Sequence, residues 1–180
     1  MTNGQPQETP DMDTKENRQA VIGFLEQAGI PFERLDYEPI HTAQEGLEVA
    51  RRLGSFCCKN LLFKNRKGKF FLFMIPGGRR FPSGAVARAL GTGHLSFASP
   101  EEIGELLHAF PGSVGPLGLI FDRDSRVQLA LEESILREPF IDCHPCDNGC
   151  SLKIAVADFT GRFLPAAGHG FITFRLPEEA

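Results

Sequence analysis

Between Val49 and Pro100 the chain has no aspartate or glutamate, although its 180 residues hold 23 acidic and 19 basic side chains in all. That window carries ten of the basic ones: Arg51, Arg52, Lys59, Lys64, Arg66, Lys67, Lys69, Arg79, Arg80 and Arg88. The other nine face all 23 acids, so the net charge of −4 conceals a one-signed stretch. Such a stretch is either a solvated basic face or a surface that seeks a phosphate backbone, and its length favours nucleic acid as the partner.

Also missing is a run long enough to cross a bilayer: the longest, Phe70 to Pro76, falls far short of the roughly 20 apolar residues a spanning helix needs. Met1 to Glu16 lacks the apolar centre of a secretion signal, so the expectation is a soluble, cytoplasmic protein without a membrane partner. The five cysteines are an odd number without the spacing of a disulfide framework, which suits a reducing compartment. An apolar share of 42% and a charged share of 23% are ordinary for a globular chain. The length suits one domain, expected over residues 14–176, between tails at 1–13 and 177–180.

Apolar runs on either side of Asn65-Arg66-Lys67-Gly68 predict a hairpin of Phe56 to Asn65 and Lys69 to Ile75, the second continuous enough to be covered on both faces. Upstream, Asp13-x-x-Glu16 and Thr42-x-x-Glu45 read as capping boxes of helices ending at Gly29 and Gly54, with a short strand at Phe32 to Glu38 between them. Downstream, a helix from Pro82-Ser83 to Leu90, a strand at Leu95 to Ala98 and a helix after Ser99-Pro100-Glu101-Glu102 lead to an irregular loop, Phe110 to Pro116. Leu117 to Phe121 and Arg126 to Leu131 read as a second hairpin. A short helix at Glu132 to Arg137, strands at Phe140 to Cys143 and Ser151 to Ala157, a helix capped by Asp158 and broken near Pro165, and an edge strand at Gly170 to Leu176 complete the chain. Hairpins outnumber strand–helix–strand units, so the expected class is α+β, a mixed, largely antiparallel, barrel-like sheet flanked by helices.

No Gly-x-Ser-x-Gly elbow, phosphate-binding Gly-x4-Gly-Lys-Ser/Thr, His-Glu-x-x-His or Gly-x-Gly-x-x-Gly is present. Three local features remain. Lys59-Asn60 sets a cation among apolar strand residues, where it either snorkels to water or points into a site. The loop Gly112-Ser113-Val114-Gly115-Pro116 frees backbone amides that can aim at a carbonyl or an oxyanion. His144-Pro145-x-x-Asn148 adds an imidazole and a carboxamide. Cys143-His144-x-Cys146-x3-Cys150 offers soft ligands, but not at finger spacing, and Cys57 and Cys58 on adjacent strand positions cannot both join them, so no metal or other cofactor is expected. His41 is expected at the surface, and Phe63, Phe70, Phe71 and Phe73 in the core rather than stacked on bases. Arg79-Arg80 lies in a turn and, with Lys64, Arg66 and Lys67, forms the candidate phosphate-binding set.

Taken together, Lys59-Asn60-Leu61, the Lys64-to-Lys69 hairpin, Leu95-Ser96-Phe97-Ala98-Ser99-Pro100-Glu101, the Gly112-to-Pro116 loop and His144-Pro145-x-x-Asn148 resemble the YbaK-type aminoacyl-tRNA editing domains over about Phe32 to Leu164. That family includes freestanding proteins and an insertion in bacterial prolyl-tRNA synthetases. The resemblance implies hydrolysis of the ester joining a wrong amino acid, alanine foremost, to tRNA(Pro), with tRNA as partner and prolyl-tRNA synthetase as a further candidate. It makes Lys59 the critical side chain and gives Gly112 and Gly115 a part in catalysis. Asn60, Ser113, Val114, Pro116, His144 and Asn148 become the substrate pocket. Gly115 stands where the family commonly has Thr, and Gly149-Cys150-Ser151 departs from its usual continuation. The alternative is a module that keeps the fold and binds tRNA without hydrolysing it.

Overall fold

The computed structural model describes residues 14–178. The expected tail at 1–13 and the capping residue Asp13 lie outside that range. Helix α1, Thr14–Gln27, is followed by strand β1, Glu33–Asp36, and helix α2, Ala43–Leu53. The α2 start carries the expected capping box, Thr42 and Glu45 each bonding the other's backbone, and Gly54 ends it at φ +62°. Strands β2, Phe56–Asn65, and β3, Phe70–Pro76, form the hairpin. Asn65 Oδ1 closes its turn by accepting from the Lys67 and Lys69 amides, both at 3.0 Å.

Helix α3, Ser83–Leu90, strand β4, Leu95–Phe97, and helix α4, Pro100–Leu107, come next, α4 opened by a Ser99–Glu102 capping box. After the irregular loop, Leu117 to Phe121 departs from the expected strand: Pro116–Ile120 is a 3₁₀ helix. A short apolar run cannot distinguish the two by periodicity. Here the close approach of Gly118 to the end of α4 decides, since a Cβ on it would lie 2.6 Å from Leu107 O. Strand β5, Val127–Glu132, a 3₁₀ turn, Glu133–Arg137, and strands β6, Phe140–Cys143, and β7, Cys150–Ala155, follow. The last helical stretch begins at Val156 rather than at Asp158 and runs through a π turn, Phe159–Phe163, into Leu164–Ala166. Pro165 lies in the first turn of that final piece, where its missing N–H costs little. Strand β8 is Phe171–Phe174.

The eight strands form one sheet in the order β1-β7-β6-β2-β3-β5-β8, with β4 beside β2. The class is α+β as expected, but two refinements apply. The sheet is open, with β1 and β8 at opposite ends, so the barrel-like expectation fails; both end strands are four residues long and largely exposed. Three of the seven ladders, β2–β6, β3–β5 and β5–β8, are parallel, because helices intervene and return the chain in the same sense. Strand β3 is central and covered on both faces: Leu72 and Met74 join the core under α1 and α4, and Phe71, Phe73 and Ile75 join the one under α3.

Candidate active-site cleft

Strand β2 changes neighbours part way along. Phe56 and Cys57 pair with β6, Phe63 to Asn65 pair with β4, and no strand pairs with the residues between on that side. Cys57 O accepts from Gly77 N–H, and Asn65 N–H donates to Lys69 O, so odd-numbered residues of β2 turn their main-chain groups toward β3 and even-numbered ones away from it. Leu62 O is taken by Ala98 N–H at 3.0 Å. The N–H and C=O of Asn60 therefore face a break in the sheet, which opens as a cleft of about 580 Å³.

Lys59, Asn60, Gly112, Val114, His144 and Asn148 line this cleft together. Lys59 is half-buried, its Nζ donating to Arg79 O at 2.9 Å, so the ammonium is held by the loop after β3 instead of reaching into water. Asn60 Oδ1 is buried and accepts no hydrogen bond among the described residues. His144 Nδ1 donates to Cys150 O at 2.9 Å, which fixes the proton on Nδ1 and leaves Nε2 with its lone pair. Burial pulls the imidazole below its ordinary pKa, so the ring is neutral at pH 7. Asn148 ties the strap before α2 to the cleft, its Nδ2 donating to Ile40 O and its carbonyl accepting from Ile40 N–H.

The remaining loop residues lie behind the lining. Ser113 is fully buried and closes the bend, its Oγ accepting from the Phe110 amide at 3.0 Å. Gly115 and Pro116 are buried, and Gly115 packs so closely that a Cβ there would lie 3.1 Å from His144 O. Gly112 turns the chain at φ +97°. Of the basic set, Arg66, Lys67 and Arg80 are exposed, Lys64 pairs with Glu102 at 2.6 Å, and Arg79 donates to Pro177 O.

The cleft has contributors that sequence reasoning did not place in the site. His41, Thr42 and Gly46 bring the N-terminus of α2 over it, and Phe97, Ile103, Cys57 and Cys58 complete the wall. The capping box located the start of α2, but tertiary ties, Asn148 with Ile40 and Gly149 O with Tyr37 N–H, set it at the cleft. Burial raises the Cys57 thiol to about 12 and the Cys58 thiol well above its ordinary value, so both are protonated at neutral pH. Cys143, Cys146 and Cys150 pack into the core, with Cys146 Sγ donating to Leu107 O. No group of three or more His, Cys, Asp or Glu among the described residues is arranged to hold a metal ion.

The family model for the aminoacyl-tRNA editing domain matches residues 37–161. The prolyl-tRNA editing protein ProX of Acetoanaerobium sticklandii is 25% identical over 167 residues, 92% of this chain and 99% of that protein. A proline–tRNA ligase of Staphylococcus epidermidis is 35% identical over 88 residues, 49% of this chain and 15% of the ligase. Among solved structures, one described as a candidate trans-editing enzyme for prolyl-tRNA synthetase superposes with a TM-score of 0.68 at 25% identity, covering 91% of this chain and 98% of that one.

Proposed function

The chain belongs to the aminoacyl-tRNA editing domain family, and on that footing we propose that it is a trans-acting deacylase hydrolysing mischarged tRNA(Pro), with alanine as the amino acid removed. One observation supports this above the rest: at the break in the sheet Lys59, Asn60, Gly112, His144 and Asn148, from three separate segments of the chain, line the same cleft.

Each group has a task in ester hydrolysis. Lys59 exchanges Arg79 O for the substrate, drawing in the terminal phosphate or polarising the ester carbonyl. Asn60 Oδ1 needs a donor, and the free α-amino group of the aminoacyl moiety supplies one. His144 Nε2 accepts a hydrogen bond from water, which attacks the ester carbon. The bond to the ribose oxygen then breaks, and that oxygen leaves with a proton as the free hydroxyl. Main-chain amides at Asn60 and in the bend at Gly112 are the donors for the oxyanion, while Gly115 and Ser113 hold the bend against His144. Burial holds the cleft thiols in the protonated form, which favours water over cysteine as the nucleophile.

A compact cleft fits a second sieve. A synthetase pocket shaped for proline rejects the smaller alanine by only about 1–3 kcal/mol, so a separate hydrolytic site is required. The partner is tRNA, and the likeness to a segment of a proline–tRNA ligase supports delivery from that enzyme. The test is deacylation of tRNA(Pro) charged with Ala, Cys, Ser or Pro, with the Lys59→Ala variant beside the parent chain. Release of alanine in preference to proline, lost in Lys59→Ala with the fold intact, is expected. Full activity in that variant refutes the mechanism, and binding without hydrolysis of any of the four identifies a tRNA-binding module instead.

A further inference from the structure

Phe97 is 67% exposed, whereas the other exposed large apolar side chains among the described residues, Leu47, Leu136, Phe140 and Ile172, lie at 37–39%. Phe97 is nonetheless held in place. It sits on β4 in register with Phe63, and the two rings stack with centroids 4.3 Å apart and planes 28° from parallel. Phe63 packs in turn on Phe73 and Phe81, so an aromatic cluster braces Phe97 while the ring remains open to the cleft that it lines.

The surroundings are cationic. The loop after β3 holds Lys59 Nζ through Arg79 O, exposes Arg80, and sets Phe81 against the same cluster. Arg66 and Lys67 project at the tip of the hairpin whose first strand pairs with β4. These three cations have no carboxylate partner within reach among the described residues. Strand alternation puts Phe63 on the same face of β2 as Lys59, and four residues of rise separate them by about 13 Å. A braced, solvent-facing ring at the end of a cleft, flanked by cations, has the features of a nucleobase platform.

We propose that Phe97 is the stacking platform for the 3′-terminal adenine of the tRNA whose acyl end lies at Lys59. The deacylase reading locates the acyl end, and the platform adds recognition of the last nucleoside. Stacking on Phe97 fixes that nucleoside across the mouth, so the ester can enter only at the Lys59 end. Its loss therefore raises KM more than it lowers kcat.

Uncharged tRNA(Pro) carrying 2-aminopurine in place of the terminal adenine reads the stack directly, since stacking on an aromatic ring quenches its fluorescence. Titration with the full chain is expected to quench it. Phe97→Leu, which keeps an apolar contact on Phe63 but removes the π face, should abolish the quench and weaken binding about tenfold, while Phe97→Trp retains both. Absence of quenching with the parent chain, or equal quenching with Phe97→Leu, overturns the proposal, and unfolding midpoints recorded alongside exclude a folding defect. Quenching without hydrolysis of charged tRNA defeats the deacylase reading and leaves the platform standing; hydrolysis without quenching does the reverse.

Discussion

Asn60 lines the cleft, and its buried Oδ1 has no hydrogen-bond donor among the described residues. A buried acceptor in that state costs about 1–3 kcal/mol, and a ligand that donates to it recovers the loss. Asn60→Ala should therefore lower kcat/KM by about 10- to 100-fold, the equivalent of a hydrogen bond to a charged group, without lowering the unfolding midpoint. The cleft thiols give the opposite expectation. Cys57→Ser and Cys58→Ser should keep deacylation within a few fold, and a collapse of activity in either would reinstate a cysteine nucleophile. On the proposed mechanism His144 acts in its neutral form, and burial lowers its pKa. Activity should then hold as the pH falls to about 6.5 and decline only below it, as a pH profile of kcat/KM would display.

At the level of elements, β6 leads into His144, and the Pro116–Ile120 helix follows the bend at Gly112 and Val114, so both support residues that line the cleft. Asp142, on β6 opposite Cys57, has a buried Oδ1 without a partner, and burial raises its carboxyl to about 7 from an ordinary value of 3.8. The folded state thus holds a proton that the unfolded chain releases. That contribution is present in full below pH 3.8 and is lost as the pH rises through 7. Urea unfolding at pH 5 and pH 8 should find the parent chain losing about 1–3 kcal/mol relative to Asp142→Asn over that interval, with the variant the more stable at pH 8. Gly118 lies in the Pro116–Ile120 helix. Adding a methyl 2.6 Å from Leu107 O forces the 3₁₀ helix off α4, so Gly118→Ala should destabilise by about 1–3 kcal/mol and shift the bend that carries Gly112 and Val114.

For the molecule as a whole, the acid-free window from Val49 to Pro100 supplies the candidate phosphate-binding cations. Arg66, Lys67 and Arg80 are the exposed members of the basic set, while Lys64 is engaged by Glu102 and Lys59 by a carbonyl. Replacing the three exposed residues by Gln should make the slope of log K against log salt for tRNA binding shallower by about two to three units, as loss of three phosphate contacts requires. An unchanged slope would direct attention to another surface.

Periodicity and capping chemistry made nearly every element legible, because a Thr42–Glu45 box, a Ser99–Pro100 start or an Asn-x-x-Gly turn acts within four residues of itself. The failures arose where distant contacts decide. Leu117 to Phe121 is a short apolar run that reads as a strand but is wound into a helix by its approach to α4, and the sheet stays open because nothing in the short end strands brings β1 to β8. Likewise, the sequence by itself singled out candidates that the fold brings to one cleft: one lysine among apolar neighbours, a glycine–proline bend, a histidine and two asparagines. Only the tertiary structure decided how they meet. β2 loses β6 as a neighbour after Cys57 and gains β4 only at Phe63, and this break in a hydrogen-bonded ladder, formed by strands far apart in the chain, leaves Asn60 facing open space with Lys59, His144 and Phe97 around it.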